Sequence, residues 1–261
     1  MPPVIQANLY DYPEYYDILF GADWKDEYKF LLGCFERYAQ RRVRSVFEPA
    51  CGTGRLLVRL ARDGFRVSGN DLNEKAVDYC NDRLKRLGLS GAATVGDMSD
   101  FTLPRPVDAA FNLINTVRHL PTEQSIESHL CCVRNALAPG GIYLLGLHLT
   151  PTEGPRIEGE RWEAARGRVK VNSYMWTKEL DLKKRNERLG IWFDIRTPTK
   201  VFRIEDEMNY RTYTATQMRN LLRRIEGMEV VETYDFLYEF DEPIEVDPTT
   251  EDVVYVLRRT A

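Results

Sequence analysis

A chain of 261 residues, 43% hydrophobic and 29% charged, is long enough for one large domain or a domain with an insertion, and its balance is that of a soluble globular protein. Its net charge of -4 argues against non-specific binding to nucleic acid, where affinity comes from Lys and Arg on phosphates. Five irregularly spaced cysteines make no disulfide framework, no charged-then-apolar leader opens the chain, and no apolar run is long enough to span a bilayer. The expectation is therefore reduced thiols, a cytoplasmic location and no membrane partner.

The first stretch, Leu9 to Tyr38, is crowded with aromatic residues, and from Trp24 onward Tyr28, Leu31, Leu32, Phe35 and Tyr38 recur at helical spacing. Most such residues bury for area alone; the sharper expectation is that Tyr15, Tyr16 or Trp24 closes over a ligand. Val46 to Glu48 reads as a strand, Pro49 to Gly54 as a tight turn and Leu56 to Gly64 as a helix. Phe65 to Gly69, Ala92 to Val95, Val107 to Ile114 and Ile142 to Leu149 read as further strands. Asn73 to Leu87, with Asn73 as N-cap, and Thr122 to Ala138 read as helices between them. This alternation predicts an α/β protein with a doubly wound, mostly parallel, seven-stranded Rossmann-like sheet. After Pro151 the pattern changes. Arg168 to Trp176, Ile191 to Ile195 and Lys200 to Tyr213 are rich in β-branched and aromatic residues, which predicts an antiparallel β insertion. The core then resumes with a helix from Thr214 to Ile225 and strands at Glu229 to Leu237 and Val253 to Arg258.

In an open parallel sheet, ligands bind outside the C-terminal strand ends near the point where strand order reverses. Glu48, Asp71 and Asp97 fall at successive strand ends, beside a turn carrying Gly52 and Gly54. Asp71 is placed to accept two ribose hydroxyls and Asp97 the exocyclic amine of an adenine. Leu72 and Met98 can cover the faces of that ring, and Glu48 can orient an amino-acid ammonium. Such a set describes a nucleoside bearing an amino acid and no pyrophosphate. The dinucleotide fingerprint needs a third small residue where this chain has Leu57, and the acid Glu48 upstream of the turn also disfavours it.

The run Glu48-Pro49-Ala50-Cys51-Gly52-Thr53-Gly54 resembles motif I of the class I S-adenosylmethionine-dependent methyltransferases, Asp71 their second-strand acid and Gly96-Asp97-Met98 their third-strand motif. Asp108 to Ile114 resembles the fourth strand, and Leu137-Ala138-Pro139-Gly140-Gly141 the turn before the fifth. The resemblance implies S-adenosylmethionine as cofactor, held by Tyr16, Glu48, Ala50, Gly52, Gly54, Asp71, Leu72, Asp97, Met98 and Asn112. It implies an in-line transfer that rests on alignment, with aromatic faces near the sulfonium. It divides the chain into an aromatic helical lid (1–40), a cofactor-binding core (41–150), an insertion over the acceptor site (151–213) and the last part of the core (214–261). Asn115-Thr116-Val117 departs from the [DN]-P-P-[YF] motif of enzymes acting on nucleobase amino groups. The segment is more similar to small-molecule N-methyltransferases, including those of amino sugars, in which a histidine follows the fourth strand; His119 matches that place as a general base. Tyr15, Trp24, Arg118 and His148 are the candidate acceptor contacts. His129, mid-helix, is expected to be structural and Cys51 to fit a tight backbone, and three scattered histidines support no metal site. A cofactor-binding sensor without turnover, a protein acceptor and a homodimer stay open.

Overall fold

The computed structural model describes residues 2–260. Its N-terminal part contains β1 (Val4–Gln6), α1 (Pro13–Phe20) and α2 (Lys25–Tyr38). There follow β2 (Ser45–Glu48), α3 (Leu57–Arg62), β3 (Arg66–Asp71), α4 (Glu74–Arg86), β4 (Ala92–Val95), β5 (Val107–Asn112), α5 (Glu123–Ala136) and β6 (Leu137–His148). The later part contains β7 (Gly159–Arg166), β8 (Val169–Asp181), β9 (Asn186–Arg196), β10 (Val201–Arg211), α6 (Ala215–Arg223), β11 (Met228–Tyr234) and β12 (Asp252–Arg259).

Seven strands form one sheet in the order β11-β12-β6-β5-β2-β3-β4. It is parallel from β6 through β4, and β12 runs antiparallel to both β6 and β11. The doubly wound α/β expectation is met. Strand alternation sends Val46, Ala109 and Ile142 to the face covered by α2, α3 and α4, and Phe47, Ala110 and Tyr143 to the face covered by α5 and α6. Helix starts are fixed locally: the Asn73 side chain accepts from the Ala76 amide at 3.0 Å, and Thr122 and Thr214 each close a capping box. The chain lays down β2, β3 and β4 in one direction and then returns to place β5 on the other side of β2. Order therefore reverses between β2 and β5, whose C-terminal ends carry Glu48 and Asn112.

The insertion forms a second sheet in the order β1-β10-β9-β8-β7, antiparallel except that β1 runs parallel to β10. Two of its strands, β1 and β7, carry too little regular alternation to be read from sequence. The helix α1 was also not anticipated; its Ile18 and Leu19 pack on Ala164, Val171, Phe193 and Ile204 of this sheet. The N-terminal segment is thus split: β1 and α1 belong to the second sheet and α2 to the core. The turn expected at Pro139-Gly140-Gly141 lies within β6, where the ladder to β5 breaks between Leu137 and Ile142. Gly140 carries the positive φ of 73° that this irregularity needs.

Candidate active site

The turn after β2 is a strained loop with positive φ at Ala50, Gly52 and Gly54 (49°, 51° and 64°). Its backbone is held from β3. The Cys51 amide donates to the Asn70 carbonyl at 2.8 Å, the Ala50 amide to Asn70 Oδ1 at 3.3 Å, and the Gly52 amide to Asp71 Oδ2 at 2.8 Å. The other carboxylate oxygen of Asp71 accepts from the Asn73 amide at 2.8 Å. Each oxygen keeps a further lone pair for a ligand hydroxyl. Asn70, missed in the sequence, also donates to the Asp97 carbonyl at 3.2 Å, so one side chain ties three strand ends together.

Two acceptor atoms at the order reversal are buried without a partner, Glu48 Oε2 and Asn112 Oδ1. Asn112 spends its amide on the Pro49 carbonyl at 2.8 Å. Burial pushes the Glu48 carboxyl well above the usual carboxylate range, with Arg55 opposing. An ammonium group placed here would satisfy both orphaned oxygens, which is the fit expected for the amino-acid end of S-adenosylmethionine. Asp71 ends β3, and Leu72, 69% exposed, follows it. The Asp97 carboxylate accepts from the amide and hydroxyl of Ser99 at 2.7 and 2.8 Å and keeps one oxygen free. Met98 corrects an expectation. Expected to cover an adenine face, its side chain is instead mostly buried in the cluster of Phe47, Val117 and Leu130 on the α5 side of the sheet.

An aromatic group stands beside these strand ends. Tyr10 and Tyr16 lie 5.5 Å apart by ring centroid, and burial, then Tyr210, with smaller contributions from Asp71 and Glu48, raises the Tyr16 phenol while Arg55 opposes. His119 ends a short 3-10 turn, Thr116–His119, which follows the left-handed pair Ile114 and Asn115 (φ 61° and 64°). Its Nε2 lies 2.9 Å from the Tyr10 hydroxyl and its ring meets Tyr210 of β10 edge-on at 4.8 Å. Burial, and then the Arg118 charge, push its imidazole down to about 4, so it is neutral near pH 7. The structure thus brings His119 to Tyr10 and Tyr210, neither of which the sequence singled out.

Beside Tyr210 opens a cleft between the core and the second sheet, lined by Arg118, His148, Glu160, Trp176, Glu187 and Glu251. Arg118 is not an exposed charge. It is buried, binds Glu187 at 2.6 Å and the Arg211 carbonyl at 3.2 Å, and stacks over Tyr210. The backbone amide of His148 donates to Asn115 Oδ1 at 2.6 Å, and its ring faces Asp252 at 3.4 Å; burial pushes it down to about 4. Two expected contacts are not brought to the site. Successive helical residues point about 100° apart, so Tyr15 leaves the Tyr16 direction and packs on Phe202 and Tyr12. Trp24 stacks with Arg59 and Tyr28 on the outer side of α3.

The helix α1 is anchored by its buried Asp17, which no local sequence signal marks. It accepts from Arg83 of α4 at 2.6 Å, Arg166 of β7 at 2.7 Å and the Thr53 hydroxyl of the cofactor turn at 3.2 Å. Asp11 adds a bond from Asn73 at 2.8 Å, next to Asp71. His129 bridges the Met98 carbonyl at 2.8 Å and the Tyr143 hydroxyl at 2.7 Å inside the core.

Residues 46–141 match the family described as methyltransferase domain. With the sheet order and the strand-end acids, this makes the core a class I S-adenosylmethionine-dependent methyltransferase domain. Its relatives are more particular. The dTDP-3-amino-3,4,6-trideoxy-alpha-D-glucopyranose N,N-dimethyltransferase of Streptomyces venezuelae is 25% identical over 158 residues, 59% of this chain and 63% of that protein. The dTDP-4-amino-2,3,4,6-tetradeoxy-D-glucose N,N-dimethyltransferase of Saccharopolyspora spinosa is 26% identical over 141 residues, 52% of this chain and 53% of that one. The matched stretch thus spans between half and two thirds of the length of these relatives. Among solved structures, an S-adenosylmethionine-dependent methyltransferase from Clostridium acetobutylicum is similar with a TM-score of 0.77 at 19% identity, covering 97% of this chain and 100% of that one. CalS10, an amino pentose methyltransferase from Micromonospora echinaspora solved with S-adenosylmethionine, gives 0.72 at 19% identity, covering 98% and 100%. At these identities the likeness establishes the fold. Among the described residues, no helix is long and apolar enough to cross a membrane.

Proposed function

We propose that the chain is an enzyme that methylates an amino nitrogen of a small-molecule acceptor, an amino sugar, using S-adenosylmethionine. The observation that carries this reading is the neutral His119, held by Tyr10 and Tyr210 at the junction of the cofactor strand ends and a carboxylate-lined cleft. Glu48 and Asn112 hold the amino-acid end of the cofactor, the turn at Ala50, Gly52 and Gly54 lies along it, and Asp71, Leu72 and Asp97 hold the nucleoside end. When bound, S-adenosylmethionine supplies an electrophilic methyl group on a sulfonium. Tyr16 borders that end with its electron-rich face. Carboxylates in the cleft favour a cationic amine over a neutral alcohol, and the aromatic lid excludes water. With its imidazole near 4, His119 is a weak proton sink, so its role here is to orient the acceptor nitrogen together with Tyr10. Arg118 and His148 shape the cleft wall. The reading extends to a cytoplasmic location and excludes nucleic acid, membrane and metal; sedimentation decides between monomer and homodimer.

The test is S-adenosylhomocysteine formation with a panel of amino sugars that includes dTDP-3-amino-3,4,6-trideoxy-D-glucose and its 3-hydroxy counterpart. Turnover of the amine and not of the alcohol is the expected result. Cofactor binding in a thermal shift without turnover of any amine sinks the reading and leaves a cofactor-binding sensor. Replacing His119 by Asn should lower turnover at least tenfold with cofactor affinity unchanged; unaltered turnover would remove it from the site.

A further inference from the structure

The cleft contains one carboxylate that the residues so far do not explain. Along β7 the exposed and inward positions alternate, which turns Glu160, Trp162 and Ala164 to the inner face. Trp162 and Ala164 enter the apolar cluster beneath α1. Glu160, at the start of the strand, comes off the same face into the cleft beside Tyr210, His148 and Glu251. Of the other charged groups around it, Arg118, Glu187 and Glu251 are engaged, whereas the side chains of Arg156 and Glu158 and one oxygen of Asp252 have no hydrogen-bond partner among the described residues. Arg118 is bound to Glu187, which also accepts from Thr177 at 2.6 Å. Glu251 accepts from the Ile157 amide at 3.2 Å, and Asp252 faces His148. Arg156 and Glu158 lie on the loop leading into β7, and β8 contributes the uncharged Met175, Trp176 and Thr177. Burial and the charges of Asp252 and Glu251 act on the Glu160 carboxyl, and no side-chain hydrogen bond or ion pair joins it to another described residue. A half-buried carboxylate whose side chain has no partner, in a cleft whose buried guanidinium, Arg118, is already paired with Glu187, is a site for a cation.

We propose that Glu160 binds the ammonium group of the acceptor and takes its proton, which makes the amine nucleophilic. This rests on the amine reading above. In the step, one N–H bond breaks, its electron pair stays on nitrogen as the lone pair, and the proton forms an O–H bond on the Glu160 carboxyl, which is open enough to return it to solvent. Burial and the two neighbouring acids raise this carboxyl to about 7, so near neutral pH it is the cleft group poised to accept and release a proton, whereas His119 and His148 are near 4.

Glu160→Gln keeps the shape and tests the charge. An unchanged thermal shift with S-adenosylmethionine first shows that the variant folds. In calorimetry on cofactor-free protein at pH 8, the wild type should bind dTDP-3-amino-3,4,6-trideoxy-D-glucose about tenfold more tightly than the 3-hydroxy sugar, and the variant should lose that preference. With cofactor present, kcat/KM for the amine should fall about 100-fold at pH 7 in the variant. The deficit should shrink as pH rises and the amine loses its proton unaided. The wild-type acid limb near pH 7 should vanish. A preference and a pH profile that are both unaltered in the variant, with an active wild type, overturn the role of Glu160 alone. A wild type that methylates no amine overturns the amine reading and this inference together.

Discussion

Gly54 shows how tightly single positions are specified in the cofactor turn. Its φ of 64° is left-handed, and a Cβ there would lie 2.3 Å from the sulfur of Cys80 on α4. Gly54→Ala should therefore cost about 2 kcal/mol in denaturant unfolding, from overpacking and backbone strain together. In a Cys80→Ala background the nearest remaining atom is Cβ of residue 80 at 3.5 Å, so the same change should cost only the strain, about 1 kcal/mol. Equal costs in both backgrounds would mean that the sulfur is not what the glycine avoids. Gly52 has a different reason. Nothing crowds its Cβ closely, but its amide must face Asp71, which a positive φ allows. Asp71, Glu48 and Asn112 sit at strand ends, so their placement follows from strand length. His119 sits at the end of a strained loop, and its partners come from remote elements.

At the scale of elements, α1 is the piece whose position matters most and whose own cohesion is least. At eight residues it is too short to be stable alone. Its hold comes from the apolar contact with the second sheet and from Asp17, which reaches Arg83, Arg166 and Thr53. Asp17→Ala leaves the mostly buried Arg83 without its carboxylate, and a loss of about 3 kcal/mol is expected. Hydrogen exchange should quicken in α1 before the core strands, and the KM for S-adenosylmethionine should rise because Thr53 in the cofactor turn loses a partner. Exchange that quickens uniformly would show that α1 does not open as a separate unit.

For the whole molecule, acid lability follows from the histidines. His129 is buried between the Met98 carbonyl and the Tyr143 hydroxyl, and burial pushes it down to about 4. Above about pH 6.5 the folded and unfolded states are both neutral at this ring. Between there and about 4 only the unfolded chain takes the proton, so stability falls as pH falls, by about 3 kcal/mol for this ring once the pH is below 4. Urea unfolding at pH 7.5 and 5 should show the decline, and a His129 ring that titrates near 6.5 in the native protein would exclude it as the cause.

The α/β class, the seven-stranded sheet and the cofactor's outline were legible in the chain because they rest on short-range patterns. Apolar runs ending in Glu48, Asp71 and Asp97 fix which residues reach the ligand edge, and Gly52 and Gly54 fix the turn between them. Even there, the fate of Met98 depended on packing: a residue in the loop past a strand end can turn inward or outward, and the cluster beneath α5 took it. Tertiary structure alone decided the proposed acceptor site. Tyr10, His119, Glu160 and Tyr210 lie on four elements far apart in sequence, and only the docking of the second sheet on the core brings them together. It also withdrew Tyr15 and Trp24, since helical phase and neighbouring apolar surface, not residue type, set which aromatic faces the ligand. Local spacing carries what one strand–turn–helix unit needs; contacts between remote surfaces leave no periodic trace in the chain that makes them.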